Sequence, residues 1–171
     1  MYITVKYIVL TNRFFPFHTL SVWGYPVQLP SHGRDVVEMA LNQPASASSA
    51  GFVISGDPQR TVDGDINTIH HSACNEATGP WWMVDLGAES FVEHIDITNR
   101  VDCCAGRLRD TWVHILNEAQ EVVESRYISG SVSAGGTPQL VFNEDTSVGR
   151  YVKVHMPRQD CLHMAEVAVY G

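Results

Sequence analysis

From Asp35 onward, apolar residues recur at every second position in short runs, and this alternation limits what the chain can fold into. Ile95 and Ile97 alternate with His94, Asp96 and Thr98; Trp112, His114 and Leu116 alternate with Val113 and Ile115. Val152, Val154 and Met156 alternate with Tyr151, Lys153 and His155, and Val167 and Val169 with Ala168 and Tyr170. Successive side chains of a strand point to opposite faces, so each run offers one face to a core. Clusters of Gly, Pro, Asn and Asp separate the runs, which predicts an all-β sandwich or barrel. One helical turn is expected, with Asp57 as its cap, Pro58 at the first helical position and Gly64 ending it in the left-handed conformation. Ser129–Gly136 reads as a flexible loop, because no Lys or helix start follows to make it a phosphate cradle. The sequence shows no internal repeat.

A chain of 171 residues predicts one domain with an appendage. Lys+Arg 11 against Asp+Glu 19 leaves −8, which disfavours nucleic acid or an anionic membrane as partner. With 44% hydrophobic residues the chain can bury a core, so wholesale disorder is excluded. Residues 1–33 differ from the rest: Phe14, Phe15, Phe17, Trp23 and Tyr25 are set among Pro16, Pro26 and Pro30. A signal peptide would use Lys6 and Arg13 as its basic end and Phe14–Gly24 as its apolar stretch. Pro16 and His18 interrupt that stretch, and no small-x-small cleavage site follows. The prolines also oppose a membrane span. An extension in which Ile3, Val5, Tyr7 and Val9 alternate as an edge strand is the plainer reading, beside a degenerate targeting segment. The functional domain is then 34–171. The aromatic stretch Phe14–Tyr25 is the candidate subunit contact of a homo-oligomer.

Chemistry-bearing residues cluster in three places. Directly after the Ile95–Asn99 strand come Arg100, Asp102, Cys103, Cys104 and Arg107, at a strand end where loops carry function. Asp102 can hold one guanidinium by a bidentate pair, leaving forked donors for oxygen atoms of a ligand. Adjacent Cα atoms lie about 3.8 Å apart, closer than usual for disulfide partners, so a Cys103–Cys104 bond would be a strained ring with a flat apolar face. Two free thiols on a surface turn are the alternative. Second, Asp63-Gly64-Asp65-Ile66-Asn67 is oxygen-rich in the manner that suits Ca²⁺, though it is not an EF-hand; an Asp-Gly turn is the plainer reading. Third, His70-His71-Ser72-Ala73-Cys74 has the residue types of a zinc site but only one nearby cysteine. Four cysteines allow three connectivities, and a bridged adjacent pair leaves Cys74–Cys161. No G-x-S-x-G, no H-E-x-x-H and no acid/base pair by spacing is present, so no enzyme is expected.

Residues 35–171 resemble an F-type lectin, or fucolectin, domain. The resemblance is carried in order by Ala40-Leu41-Asn42-Gln43-Pro44-Ala45-Ser46, Val62-Asp63-Gly64-Asp65 and Pro80-Trp81-Trp82-Met83-Val84-Asp85-Leu86. It continues through Ile97-Thr98-Asn99-Arg100-Val101-Asp102-Cys103-Cys104, Gly149-Arg150-Tyr151-Val152 and Leu162-His163-Met164-Ala165-Glu166-Val167. The Trp-Trp run occurs across the wider discoidin-like superfamily, whereas R-x-D-C-C-x-x-R is specific to the lectins. The resemblance implies a jelly-roll β-sandwich with binding loops at one end and a secreted, non-enzymatic protein that binds fucosylated glycans. It implies that Arg100 and Arg107 hydrogen-bond the fucose hydroxyls and ring oxygen, and that a Cys103–Cys104 bridge packs on the sugar. The family's loop His has no counterpart: its spacing lands on Ala73, leaving His70, His71 or Glu76 as candidate replacements. The resemblance further implies a Ca²⁺ site of the Arg60 carbonyl, Asp63, the Asp65 carbonyl, Ser72 or Ala73, the Ala165 carbonyl and Glu166. Cys74–Cys161 becomes a displaced version of the family's bridge. A discoidin-like adhesion module that binds a protein or lipid partner is the alternative, favoured by the missing His.

Overall fold

The computed structural model describes residues 35–51, 56–143 and 145–171, together with the backbone of 19–22 and 25–28. The chain divides into two units, Met1–Asp35 and Val36–Gly171. In the first, β1 (Thr19–Val22) and β2 (Tyr25–Gln28) pair antiparallel. The alternation over Ile3–Val9 and the leading part of the apolar stretch from Phe14 lie outside the described residues. No described helix is long and apolar enough to cross a membrane.

The second unit is built from strands, with two short 3₁₀ turns between them. Its elements are β3 (Ala45–Ala47), β4 (His70–His71), β5 (Trp81–Phe91), β6 (His94–Thr98), β7 (Arg109–Leu116), β8 (Val122–Ser131), β9 (Gln139–Val141), β10 (Val148–His155), β11 (His163–Met164) and β12 (Glu166–Tyr170). A five-stranded sheet runs β3-β5-β10-β7-β8, a three-stranded sheet β12-β6-β9, and β11 pairs with β4. All these pairings are antiparallel. The period-two pattern explains the packing. Trp82, Val84, Val113, Ile115, Ile128, Val152 and Val154 from the larger sheet share one buried cluster with Ile95, Ile97, Val167 and Val169 from the smaller. Burying one face of each sheet against the other is the sandwich expected from the alternation, and the jelly roll that the resemblance implies. The opposite face of β7 and β8 leaves Trp112 and Tyr127 exposed, with ring centroids 4.8 Å apart.

Two local readings of the sequence are corrected. The turn begins as expected, with Asp57 accepting from the Gln59 amide at 2.9 Å, but it is a 3₁₀ helix over Pro58–Thr61 that ends at Val62. Gly64 does adopt a positive φ of 78°, yet it serves the following Asp63–Asn67 turn. The Ser129–Gly136 stretch is not all loop: β8 extends to Ser131, because Asp110 accepts from the Gly130 amide at 2.9 Å and carries the pairing across a bulge.

Gly79 is demanded both by close approach and by its backbone conformation. Gly79 has φ 79°, and a Cβ there would lie 1.9 Å from the Met156 carbonyl oxygen. Gly87 has a similar φ of 86° but open space around it. Gly79→Ala should therefore lower the unfolding free energy by at least about 2 kcal/mol, against roughly 1 kcal/mol for Gly87→Ala, where only backbone strain acts. Urea unfolding of the two variants checks this; equal losses would remove the steric argument.

Candidate carbohydrate-binding site

The site begins where β6 ends. Asn99 is fully buried, and its Nδ2 donates to the carbonyls of Ala105 (3.0 Å), Val132 (2.9 Å) and Ser133 (3.2 Å). Its Oδ1 accepts from the Arg100 amide at 2.9 Å, and its own amide donates to the Gly136 carbonyl at 3.0 Å. One side chain thus ties the 100–105 turn to the 132–136 loop. Sequence reasoning missed this role; a polar residue directly after an alternating strand was the only signal.

Held this way, Arg100 lies nearly buried and forms the bidentate pair expected with Asp102. Nε reaches Oδ1 and Nη2 reaches Oδ2, each at 2.6 Å. The Asp102 carboxyl is held well below the usual carboxylate range, first by the hydrogen bond from Arg100 and then by its charge. Arg107 sits on the second 3₁₀ turn (Ala105–Arg107), its amide donating to the Cys104 carbonyl at 3.0 Å. Its carbonyl accepts from Arg158 Nη2 at 3.0 Å, while Arg158 Nη1 donates to the carbonyls of Arg109 (2.7 Å) and Asp110 (3.2 Å). Arg158 therefore staples the backbone, and sequence reasoning did not single it out. The Arg107 guanidinium has no hydrogen bond or ion pair among the described residues. The arrangement offers two cationic forks, one oriented by a carboxylate and one free.

The adjacent cysteines depart from the expected bridge. Cys103 and Cys104 are exposed free thiols with sulfurs 2.8 Å apart, and Cys104 adopts a left-handed φ of 60°. The other expected pairing is present: Cys74 and Cys161 are disulfide-bonded. That bond rules out zinc at His71, Cys74 and Cys161, although one ligand atom of each lies within 4.8 Å of the others. Bridged sulfurs are not thiolate ligands.

The candidate replacements for the loop His separate. His70 and His71 are neighbours on β4 and so face opposite ways. His70 is buried with Nδ1 3.1 Å from the Gly56 carbonyl, and burial pushes its pKa down to about 4. It belongs to the side of the first 3₁₀ turn and not to the arginines. Glu76 is committed to closing its own loop, accepting from the Ser49 hydroxyl, which in turn accepts from the Ala73 amide at 2.9 Å. His71 pairs across β4–β11 with His163, the two rings stacked 5.7 Å apart. Both are buried. His163 was quoted for the resemblance but given no role.

Around Asp63 the oxygens converge. Thr68 Oγ1 lies 2.9 Å from the Arg60 carbonyl, 2.9 Å from Asp63 Oδ2 and 3.1 Å from the Asp65 carbonyl. A hydroxyl has one proton and can serve only one of three acceptors at a time. Glu166 Oε1 accepts from the Gly64 amide at 3.2 Å, while Oε2 is buried without a partner. Burial, with the charges of Asp63, Glu38 and Asp65, pushes the Glu166 carboxyl up to about 7. Crowded oxygens and an orphaned carboxylate oxygen fit a hard cation such as Ca²⁺. Thr68 joins this set without having been foreseen. The Ser72 hydroxyl is otherwise engaged, accepting from the Leu162 amide at 2.9 Å and donating to the Ala73 carbonyl at 3.0 Å; the Ala165 amide donates to the Thr98 carbonyl at 2.8 Å, a bond that does not involve the Ala165 carbonyl expected as a ligand.

Because Asn99 organises the loop, Asn99→Ala should cost about 1–3 kcal/mol through the carbonyls it leaves unpaired. Amide hydrogen exchange should show lost protection at Arg100, whose amide Oδ1 now accepts. Unchanged stability and protection would reject the anchoring role.

Comparison with known proteins places this geometry. Residues 60–154 match a family profile described as the NedA-like, galactose-binding domain of the F5/F8 type C group. Fucolectin-5 of Anguilla japonica is 30% identical over 172 residues, covering 96% of this chain and 90% of that protein. A crystal structure of a serum f-lectin (fucolectin) from Morone saxatilis, striped bass, is 33% identical with a TM-score of 0.70, covering 80% of this chain and 49% of that one. The lectin domain of lectinolysin complexed with Lewis B antigen is 30% identical with a TM-score of 0.68, covering 78% of this chain and 95% of that one. With a fucolectin relative matched over nearly its whole length and the same sandwich in solved lectins, this chain belongs to the fucolectin family.

Proposed function

We propose that this chain is a secreted, non-enzymatic lectin that binds terminal α-L-fucose or a related sugar on fucosylated glycans. The observation that carries the reading is the pair of forks: Arg100, fixed by Asp102, and Arg107, whose guanidinium is unpartnered among the described residues. Guanidinium N–H groups donate to sugar hydroxyl and ring oxygens, and the exposed sulfurs of Cys103 and Cys104 offer an apolar surface beside them. The relatives support the same reading, since one structure holds a Lewis B antigen. A single shallow site of this kind gives on the order of millimolar affinity, so useful adhesion calls for several sites on one assembly. A discoidin-like module with a protein or lipid partner is the second reading; it is favoured by His70 and Glu76 being committed elsewhere.

Ca²⁺ belongs to the proposal as a structural ion. The Arg60 and Asp65 carbonyls, Asp63, Thr68 and Glu166 would hold it, and it would neutralise the acidic cluster. These residues join the 60–68 turn to β12, so the ion would brace the sugar loop's neighbouring strand.

Arg100→Ala and Arg107→Ala should each weaken fucose binding by on the order of 1.5–3 kcal/mol. Arg107→Lys should also bind poorly, because a point charge does not replace a fork. A glycan array and NMR titration with L-fucose check this; undiminished binding in both alanine variants rejects the site. Separately, removing Ca²⁺ with a chelator should lower the melting temperature by roughly 5–10 °C for an ion present at about a hundred times its Kd. Asp63→Ala should abolish the chelator's effect. Identical melting curves after verified metal removal would strike the ion from the account.

A further inference from the structure

Among the described residues, five buried side-chain nitrogen or oxygen atoms lack a hydrogen-bond partner, and two of them are the ring nitrogens of His163. No other described side chain is orphaned twice. Each such atom costs about 1–3 kcal/mol relative to a satisfied one, so a ring left with both requires a reason.

Its position supplies one. β12 pairs with β6 so that Glu166 faces Thr98, and the Ala165 amide donates to the Thr98 carbonyl at 2.8 Å. Carried back along the chain, the antiparallel direction brings His163 alongside the turn that starts at Arg100. The ring is fully buried on β11 and stacks on His71. After burial itself, the charge of Arg100, then of His71 and Arg107, lowers its pKa to about 4, while a weak hydrogen bond with the Cys104 backbone, short of full geometry, opposes. The groups that act on this ring are thus the two forks and the cysteine turn.

We propose that His163 is the third hydrogen-bonding side chain of the sugar site, taking the place of the absent loop His from a different strand. The inference rests on the fucose-type reading above. Two guanidiniums offer only donors, and each Asp102 oxygen already accepts from Arg100, which leaves only its outward, solvent-facing lone pairs. A sugar hydroxyl is both acceptor and donor, so fixing its direction needs an acceptor, and a neutral imidazole provides one acceptor and one donor. Arg107, which has no described partner holding it and whose charge reaches the ring, would have to turn as the ligand enters to open the way to it. One hydroxyl of the bound sugar then satisfies the orphaned nitrogen.

The test uses the full chain, titrated by NMR with L-fucose and with its single-deoxy analogues. The variants are His163→Phe, which fills the space without hydrogen bonding, and His163→Asn, which cannot reach as far; melting curves establish which are folded. The wild-type protein should discriminate against one deoxy analogue more than the others. A folded variant should bind L-fucose roughly tenfold more weakly, yet bind that one analogue as the wild type does, since the contact is already missing. Unchanged fucose affinity in a folded variant overturns the proposal, as does an equal loss for every analogue, which marks a merely structural role. Either of those results leaves wild-type fucose binding, and so the functional reading, standing. A wild-type protein that binds none of these sugars overturns both.

Discussion

The buried amide of Asn99 holds the binding end of this molecule together. β6 delivers it to the edge of the core, where its side chain bonds to carbonyls on both flanking segments. A backbone turn cannot sit against a core with its carbonyls unpaired, because each buried unsatisfied group is costly. Asn99 shares its two amide protons among the three, and the adjacent residue, Arg100, is then placed with its carbonyl accepting from the Gly135 amide at 3.2 Å and its fork on Asp102. The direction in which Arg100 presents its guanidinium is inherited from this one neutral contact, while the Asp102 carboxylate that orients it stays near the surface.

The sandwich was legible in the sequence because its strands alternate cleanly. β6 and β12 each bury every second residue, as the pattern around Ile95–Ile97 and Val167–Val169 requires. The Arg100–Asp102 pair was legible by proximity along the chain, and the Cys74–Cys161 bridge was expected correctly although the bridged adjacent pair it was derived from is absent. Legibility failed at β11. Leu162, His163 and Met164 are all buried, so alternation does not tell which faces the core. That happens wherever both faces of a strand are covered, here by the sandwich and the binding loops, and period-two reasoning assumes one wet face. Asn99 and Thr68 escaped for a different reason: each acts through carbonyls of residues distant in sequence or on another turn, and carbonyls leave no mark in side-chain chemistry.

Charge is distributed with the same economy. A chain carrying −8 concentrates two arginines on the short turn after β6 and three acidic side chains, Asp63, Asp65 and Glu166, around the start of β12. Thr98 and Glu166 face one another in register, so the cationic loop and the acidic cluster flank a single rung of the β6–β12 ladder.

The Cys74–Cys161 bond spans 87 residues and encloses most of the strands of both sheets. Closing a loop of that length removes roughly 4 to 5 kcal/mol of chain entropy from the unfolded state on the loop-closure account. It also changes what a protease can accomplish. A single cut in an exposed connection inside the loop, such as Glu118–Glu121 between β7 and β8, leaves the two pieces covalently joined at the base of the binding end. The fragments cannot drift apart, and the strand ladder can hold its register across the break. Nicking would pass unnoticed by size under oxidising conditions and appear as two chains only after reduction.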